Sequence, residues 1–293
     1  MPADTPPVRR HRTRRVVVPL AQALAGLVLL VALFQALGTE AAVSAVGILG
    51  PGTVALALAA GLVGTAAQAQ RWRLVARGRG ARIGFREALA ECWAAGLVNL
   101  LLPGGVAGDA VRVLRRRRRG DTWPGAGGSV VGERLAGTSV LLAAGTVPAL
   151  AVGPWLAVVL GLGALVVGAV AWRSTRASPA GDRAAVWFLS VLVWASYQGL
   201  FLLAAVRTAP HEPLGGLWGT TVLGLAGMSL PVGVGGWGPR EGITTLAAVA
   251  HGIPAQTGFA ISLGYGLLAL ASTLPGVLVL ACWLRPVRDG ART

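Results

Sequence analysis

Leu102-Pro103-Gly104-Gly105-Val106-Ala107-Gly108-Asp109, followed by Arg112, and Leu230-Pro231-Val232-Gly233-Val234-Gly235-Gly236-Trp237-Gly238-Pro239-Arg240-Glu241 decide how this chain is read. Each begins Leu-Pro, runs through glycines and ends at an acid and an arginine. Each also interrupts an apolar segment, 88–108 in one case and 214–250 in the other. Proline removes a backbone donor and clashes with the preceding turn, so neither segment is expected to cross a bilayer as one straight helix. Irregular backbone at membrane depth is tolerated only where protein buries it or where it lines a cavity.

Around these breaks lie six apolar runs near the roughly 20 residues that a helix needs to span: 16–37, 53–70, 129–150, 155–172, 185–206 and 256–282. The composition agrees. Hydrophobic residues make up 54% and charged residues 13%, against about a quarter charged in soluble domains. The basic flank before residue 16 precedes an apolar run too long for a signal-peptide core, so a retained first span is expected.

The 26 basic residues are all Arg. A chain without Lys has neither a Walker A lysine nor a Schiff-base lysine, so ATP chemistry through a P-loop is excluded. The net charge of +15 would suit nucleic acid, but short Arg-rich loops between spans are what the positive-inside rule produces, and no nucleic-acid partner is expected. Arg residues cluster in 1–15, 71–86, 112–121, 173–183 and 285–293. All five clusters are assigned to the cytoplasm, which puts both termini there, in a multi-pass protein of the cell membrane.

With those loops inside, 88–108 starts and ends on the cytoplasmic face and 214–250 on the outer face. Both are predicted to be re-entrant. The fold expected is all-α: six spans plus two re-entrant helical hairpins, eight membrane segments, in an inverted repeat with halves about 16–150 and 155–284. The membrane domain occupies 16–284, between a basic tail at 1–15 and a short one at 285–293.

Candidate site residues follow from this geometry. Helix N-termini near the midplane offer partial positive charge to an anion, and ionisable groups inside a membrane are expensive enough to point to function or pairing. Asp109, Arg112, Arg240 and Glu241 are expected to line one polar cavity, with the arginines holding phosphate and the acids holding an amine or the arginines. The competing account has Asp109 with Arg112, and Glu241 with Arg240, capping turns near the surface. Glu133 and Arg134 read either as substrate contacts or as an N-terminal acid and a snorkelling arginine. Asn99 reads as a cavity group or as a partner for backbone freed by Pro103. Pro103, Gly104, Gly105, Gly108, Pro231, Gly233, Gly235, Gly236 and Gly238 form the turns.

Other motifs carry less. Gly233 to Gly238 fits G-x-G-x-x-G, but a dinucleotide site needs a preceding strand. Cys92 and Cys282 read as apolar fillers, and His11, His211 and His251 match no metal spacing, so no cofactor or metal is expected. Arg115 to Arg119 reads as a lipid-facing basic cluster, and Trp72, Trp155 and Trp187 as interfacial anchors.

Arg71-Trp72-Arg73, Phe85-Arg86-Glu87-Ala88, Asn99 through Arg112, Glu133-Arg134-Leu135 and Leu230 through Gly242 together resemble the transmembrane, flippase-like domain of the lysylphosphatidylglycerol synthase family and its stand-alone relatives. Trp237 and Pro239 depart from the smaller residue and the Val often found there. The resemblance implies translocation of a phospholipid or lipid-linked polar headgroup between leaflets, with a membrane lipid bearing an anionic or phosphate group as partner. It also implies that a chain stopping at Thr293 lacks the family's soluble aminoacyl-transfer domain, and a non-enzymatic role is favoured. The alternatives are a membrane-embedded transferase acting on a lipid-linked substrate, and a non-catalytic membrane partner of a separate lipid-modifying enzyme.

Overall fold

A computed structural model describes residues 24–37, 39–102, 105–176, 178–230 and 236–284. Within them the chain is entirely helical, with no strand: α1 (Leu24–Leu37), α2 (Glu40–Gly47), α3 (Pro51–Arg77), α4 (Phe85–Leu101), α5 (Ala107–Arg118), α6 (Trp123–Thr146), α7 (Pro154–Ser174), α8 (Ala180–Thr208), α9 (Leu214–Gly227), α10 (Pro239–Ala250), α11 (Ala255–Thr273) and α12 (Pro275–Leu284). A short 3-10 turn at Pro148–Ala151 follows α6. The tails, the start of the first run, and Pro103, Gly104, Pro231, Gly233 and Gly235 lie outside the described residues.

By length and composition α3, α7 and α8 can each cross a membrane, and the count reaches five if the bent pairs α1/α2 and α11/α12 are each taken as one span. The apolar side chains facing outward fit a lipid solvent: Val158, Val159, Leu162, Leu165 and Val166 on α7 are all more than half exposed. In water such a stripe would be a large exposed patch, whereas in a bilayer it matches its surroundings.

Both apolar segments interrupted by Pro and Gly are broken into helix pairs, α4 with α5 and α9 with α10. The breaks are made by the glycines. Gly105 has φ +63° and Gly238 φ +97°, a region that side-chain-bearing residues rarely occupy. Gly108 lets α5 cross tightly over α4, because a Cβ there would run into the Ala95 backbone.

Three elements differ from the expected layout. The run 256–282 is not one straight span: α11 and α12 meet at 45°, where Pro275 cannot continue the preceding hydrogen-bond ladder. The stretch between the apolar runs 16–37 and 53–70 contains α2, whose buried Ala41 and Ala45 pack beside Phe259 and Leu263 of α11. And α6 starts at Trp123, where Thr122 Oγ1 accepts the Gly125 N–H at 3.1 Å and Pro124 sits in the first turn. Both features favour a helix start at this point.

Candidate functional site: two buried arginine clusters

The first cluster is assembled from four helices. On α3, Gln68, Arg71 and Trp72 are three and four residues apart and share a face. Asp109 and Arg112 come from α5, Ser129, Glu133 and Arg134 from α6, and Ser190 from α8. Glu133, fully buried, is the centre. Its Oε1 accepts from Arg112 Nη1 at 2.8 Å and from Gln68 Nε2 at 3.5 Å; its Oε2 accepts from Arg71 Nε at 3.2 Å and Nη2 at 3.1 Å. Arg71 Nη1 donates to Ser190 Oγ at 3.1 Å. Asp109 takes Arg112 Nη1 at 3.2 Å on one oxygen and Arg134 Nη2 at 2.5 Å on the other. The Arg112 guanidinium lies 4.1 Å from the Trp72 ring, an arrangement in which an aromatic face attracts a cation. Trp72 Nε1 in turn donates to Ser129 Oγ at 3.1 Å.

Three expectations are corrected here. Because α6 begins at Trp123, Glu133 stands well inside the helix rather than at its N-terminus, and it is held by two guanidiniums instead of the helix dipole. Trp72 is not an interfacial anchor. It is fully buried beneath Arg112, because α3 continues to Arg77 past the end of its apolar run. For the same reason Arg71, assigned to a cytoplasmic loop, is a buried helical residue.

Asn99 serves the turn. Its Oδ1 accepts the Gly108 N–H at 2.7 Å, taking up one of the unpaired donors at the start of α5. Asn99→Ala is expected to lower stability by about 1 kcal/mol, as loss of a helix cap does. Thermal unfolding in detergent checks this, and an unchanged transition would count against it.

The second cluster sits at the start of α10. Arg240 and Glu241 are both fully buried and paired with each other. Glu241 Oε1 accepts from Arg240 Nε at 2.9 Å and from Ser262 Oγ at 3.3 Å, while Oε2 takes the Gly238 N–H at 2.6 Å. Glu241 thus caps its own helix and neutralises Arg240 at once. The guanidinium lies 4.4 Å from the Trp237 ring and 5.3 Å from that of Tyr265, itself stacked on Phe201 at 4.1 Å. Gly266 makes the space, since a Cβ there would come within 2.5 Å of both Arg240 Nη2 and Trp237.

The seven candidate residues therefore fall into two groups. Asp109, Arg112, Glu133 and Arg134 share one network, with Asn99 bracing its turn; Arg240 and Glu241 form the other. Among the described residues no hydrogen bond or ion pair links the groups. In both, an arginine retains donors without a partner: Nε and Nη2 of Arg112, and Nη1 of Arg240. Sequence reasoning missed Gln68, Arg71, Ser190, Ser262 and Tyr265. The run Arg115 to Arg119 is also more tied down than expected: Arg115 pairs with Glu91, Arg116 with Glu87 and Asp121, and Arg119 with Glu87. Its aromatic neighbours come from other segments, with Arg115 3.7 Å from the Trp283 ring and Arg117 4.9 Å from that of Trp123.

Helices with a lipid-matched exterior and two interior clusters of paired guanidiniums define a polytopic α-helical membrane protein with polar chemistry in its core. The chain belongs to the family described as the lysylphosphatidylglycerol synthase TM region, whose model matches residues 16–180. The matched stretch holds the whole first cluster except Ser190, and membership fits a membrane-lipid-related function. Comparison with curated proteins finds no match.

Proposed function

We propose that the chain is a flippase-like protein that passes a phospholipid or lipid-linked polar headgroup between leaflets while the acyl chains stay in the bilayer. The observation that carries this reading is Arg112. It is buried in the second turn of α5, the helix that follows a glycine turn, and it has guanidinium donors free beyond those that Asp109 and Glu133 occupy. In its network three guanidiniums (Arg71, Arg112, Arg134) face two carboxylates (Asp109, Glu133), which leaves one positive charge for an anion. Arginine's planar fork suits phosphate. Arg240, with its own unpartnered donor, is the corresponding group in the second half.

The topology belongs to the same proposal. Helix, broken pair and helix occur in the same order as α3, α4/α5, α6 and again as α8, α9/α10, α11, which supports an inverted repeat with two re-entrant pairs in a domain over 16–284. The Arg-rich segments support cytoplasmic termini in a protein of the cell membrane.

Reconstitution into liposomes containing fluorescent phospholipids tests the function. Wild-type protein is expected to accelerate exchange between leaflets over empty vesicles, and Arg112→Lys, which retains the charge but not the fork, to slow it about tenfold or more, the loss of one charge-assisted hydrogen bond. Exchange no faster than in empty vesicles across several headgroups would refute the reading.

A further inference from the structure

A groove with a volume of about 450 Å³ lies outside both clusters, among α6, α7 and α8. Its floor is made by small residues. Ser139 of α6 donates to the Ala164 carbonyl of α7 at 2.9 Å, and a Cβ on Gly168 would come within 2.7 Å of Ser139 Oγ. Two indoles, Trp172 and Trp187, form walls, and the groove opens on the lipid-matched face of α7.

One end is basic. Arg173 and Arg176 line it, both are exposed, and neither has an acidic partner among the described residues. Arg183 lies 5.0 Å from the Trp172 ring, with its Nε buried and unpartnered. The nearby acid, Asp182, is taken by Arg77. From Ala164 to Arg173 is nine residues of helix, about 14 Å at 1.5 Å per residue, close to the roughly 15 Å of hydrocarbon in one leaflet.

We infer that this groove holds one anionic phospholipid, with an acyl chain along Ala164, Leu165 and Gly168 and the phosphate on Arg173 and Arg176. Depth, apolar floor and cationic mouth match a single lipid of the leaflet on the basic side. Bulk acyl chains would explain the apolar floor but would have no use for the arginines. The indoles sit where the chain passes into the headgroup zone, the position that Trp favours in bilayers. This site is independent of the translocation reading, because none of its residues belongs to either cluster.

The test uses the full chain in phosphatidylcholine nanodiscs doped with phosphatidic acid that carries a photoactivatable diazirine midway along one acyl chain, with labelled phosphatidylcholine as comparison. Adducts are expected on the lining of α7, at Leu165 and Ala169, with a strong preference for phosphatidic acid. Arg173→Ala/Arg176→Ala should reduce that preference about thirtyfold, equivalent to about 1 kcal/mol for each basic residue. Ala169→Phe, at an exposed position that fills the groove, should suppress labelling by both lipids. Adducts spread evenly over the α7 face would overturn the inference, as would equal labelling by the two lipids or indifference to either variant. Liposome exchange measured on the same variants separates the two proposals: Arg112→Lys should leave the adducts intact whether or not exchange occurs.

Discussion

Glu133→Gln is expected to destabilise the protein by about 3–5 kcal/mol, the penalty seen when one partner of a buried ion pair is removed and the other charge stays behind. Here two charges stay behind. Arg71 and Arg112 both depend on this carboxylate, at 3.1 and 2.8 Å, and both are almost completely buried. Asp109 retains a hold on Arg112, but among the described residues Arg71 has only Ser190 besides Glu133. Heating followed by size-exclusion chromatography in detergent would show the loss as a lower transition temperature. Arg71→Gln/Glu133→Gln should lose less than the two single changes summed, because residues in one network do not behave independently. A single variant as stable as wild type would mean that the guanidiniums find other acceptors and that the network has been misread.

Glu241→Gln is expected to have the second largest effect, about 3 kcal/mol, by leaving Arg240 charged and without a counter-ion in a fully buried position. Glutamine still accepts the Gly238 N–H, so the helix cap survives and the loss isolates the charge. The double change Arg240→Met/Glu241→Leu should recover most of it, since apolar residues of similar volume often replace a buried pair at little net cost. Liposome exchange gives the pair its second readout: if the refolded double variant exchanges lipid like wild type, Arg240 has no part in transport.

The breaks were legible in the sequence because they are made by residues whose backbone behaviour is distinctive. A Leu-Pro followed by glycines cannot sustain a helix, and α4 and α9 end at Leu101 and Gly227, ahead of the two Leu-Pro pairs. The all-helical character followed from apolar runs of spanning length. The partners in the sites were far less visible. Arg71 stands at the end of an apolar run, where an arginine ordinarily marks the membrane surface; only the continuation of α3 to Arg77 carries it into the interior. Glu133 looked like a helix-start residue because α6 opens with Gly- and Ser-rich sequence of low hydropathy, which hides its first turns. Gly137 and Gly266 stand inside helices as if they were ordinary small packing residues. Each in fact clears a hollow for a guanidinium, with Arg71 Nη1 at 2.9 Å and Arg240 Nη2 at 2.5 Å from where a Cβ would stand. That complementarity links residues 66 and 26 positions apart in sequence, and periodicity within one helix carries no trace of it.

The seat of α1 has a consequence for how the molecule is made. Gly238 lies against Gly26, with the Gly26 carbonyl 2.6 Å from where a Cβ would be, and Phe34 meets Phe259 edge-on at 5.2 Å. α1 is therefore synthesised more than two hundred residues before the surfaces it rests on. At about 5–20 residues per second, it waits on the order of 10–40 s for them. During that interval α1 is a helix in lipid without its partner, open to whatever else is being inserted beside it.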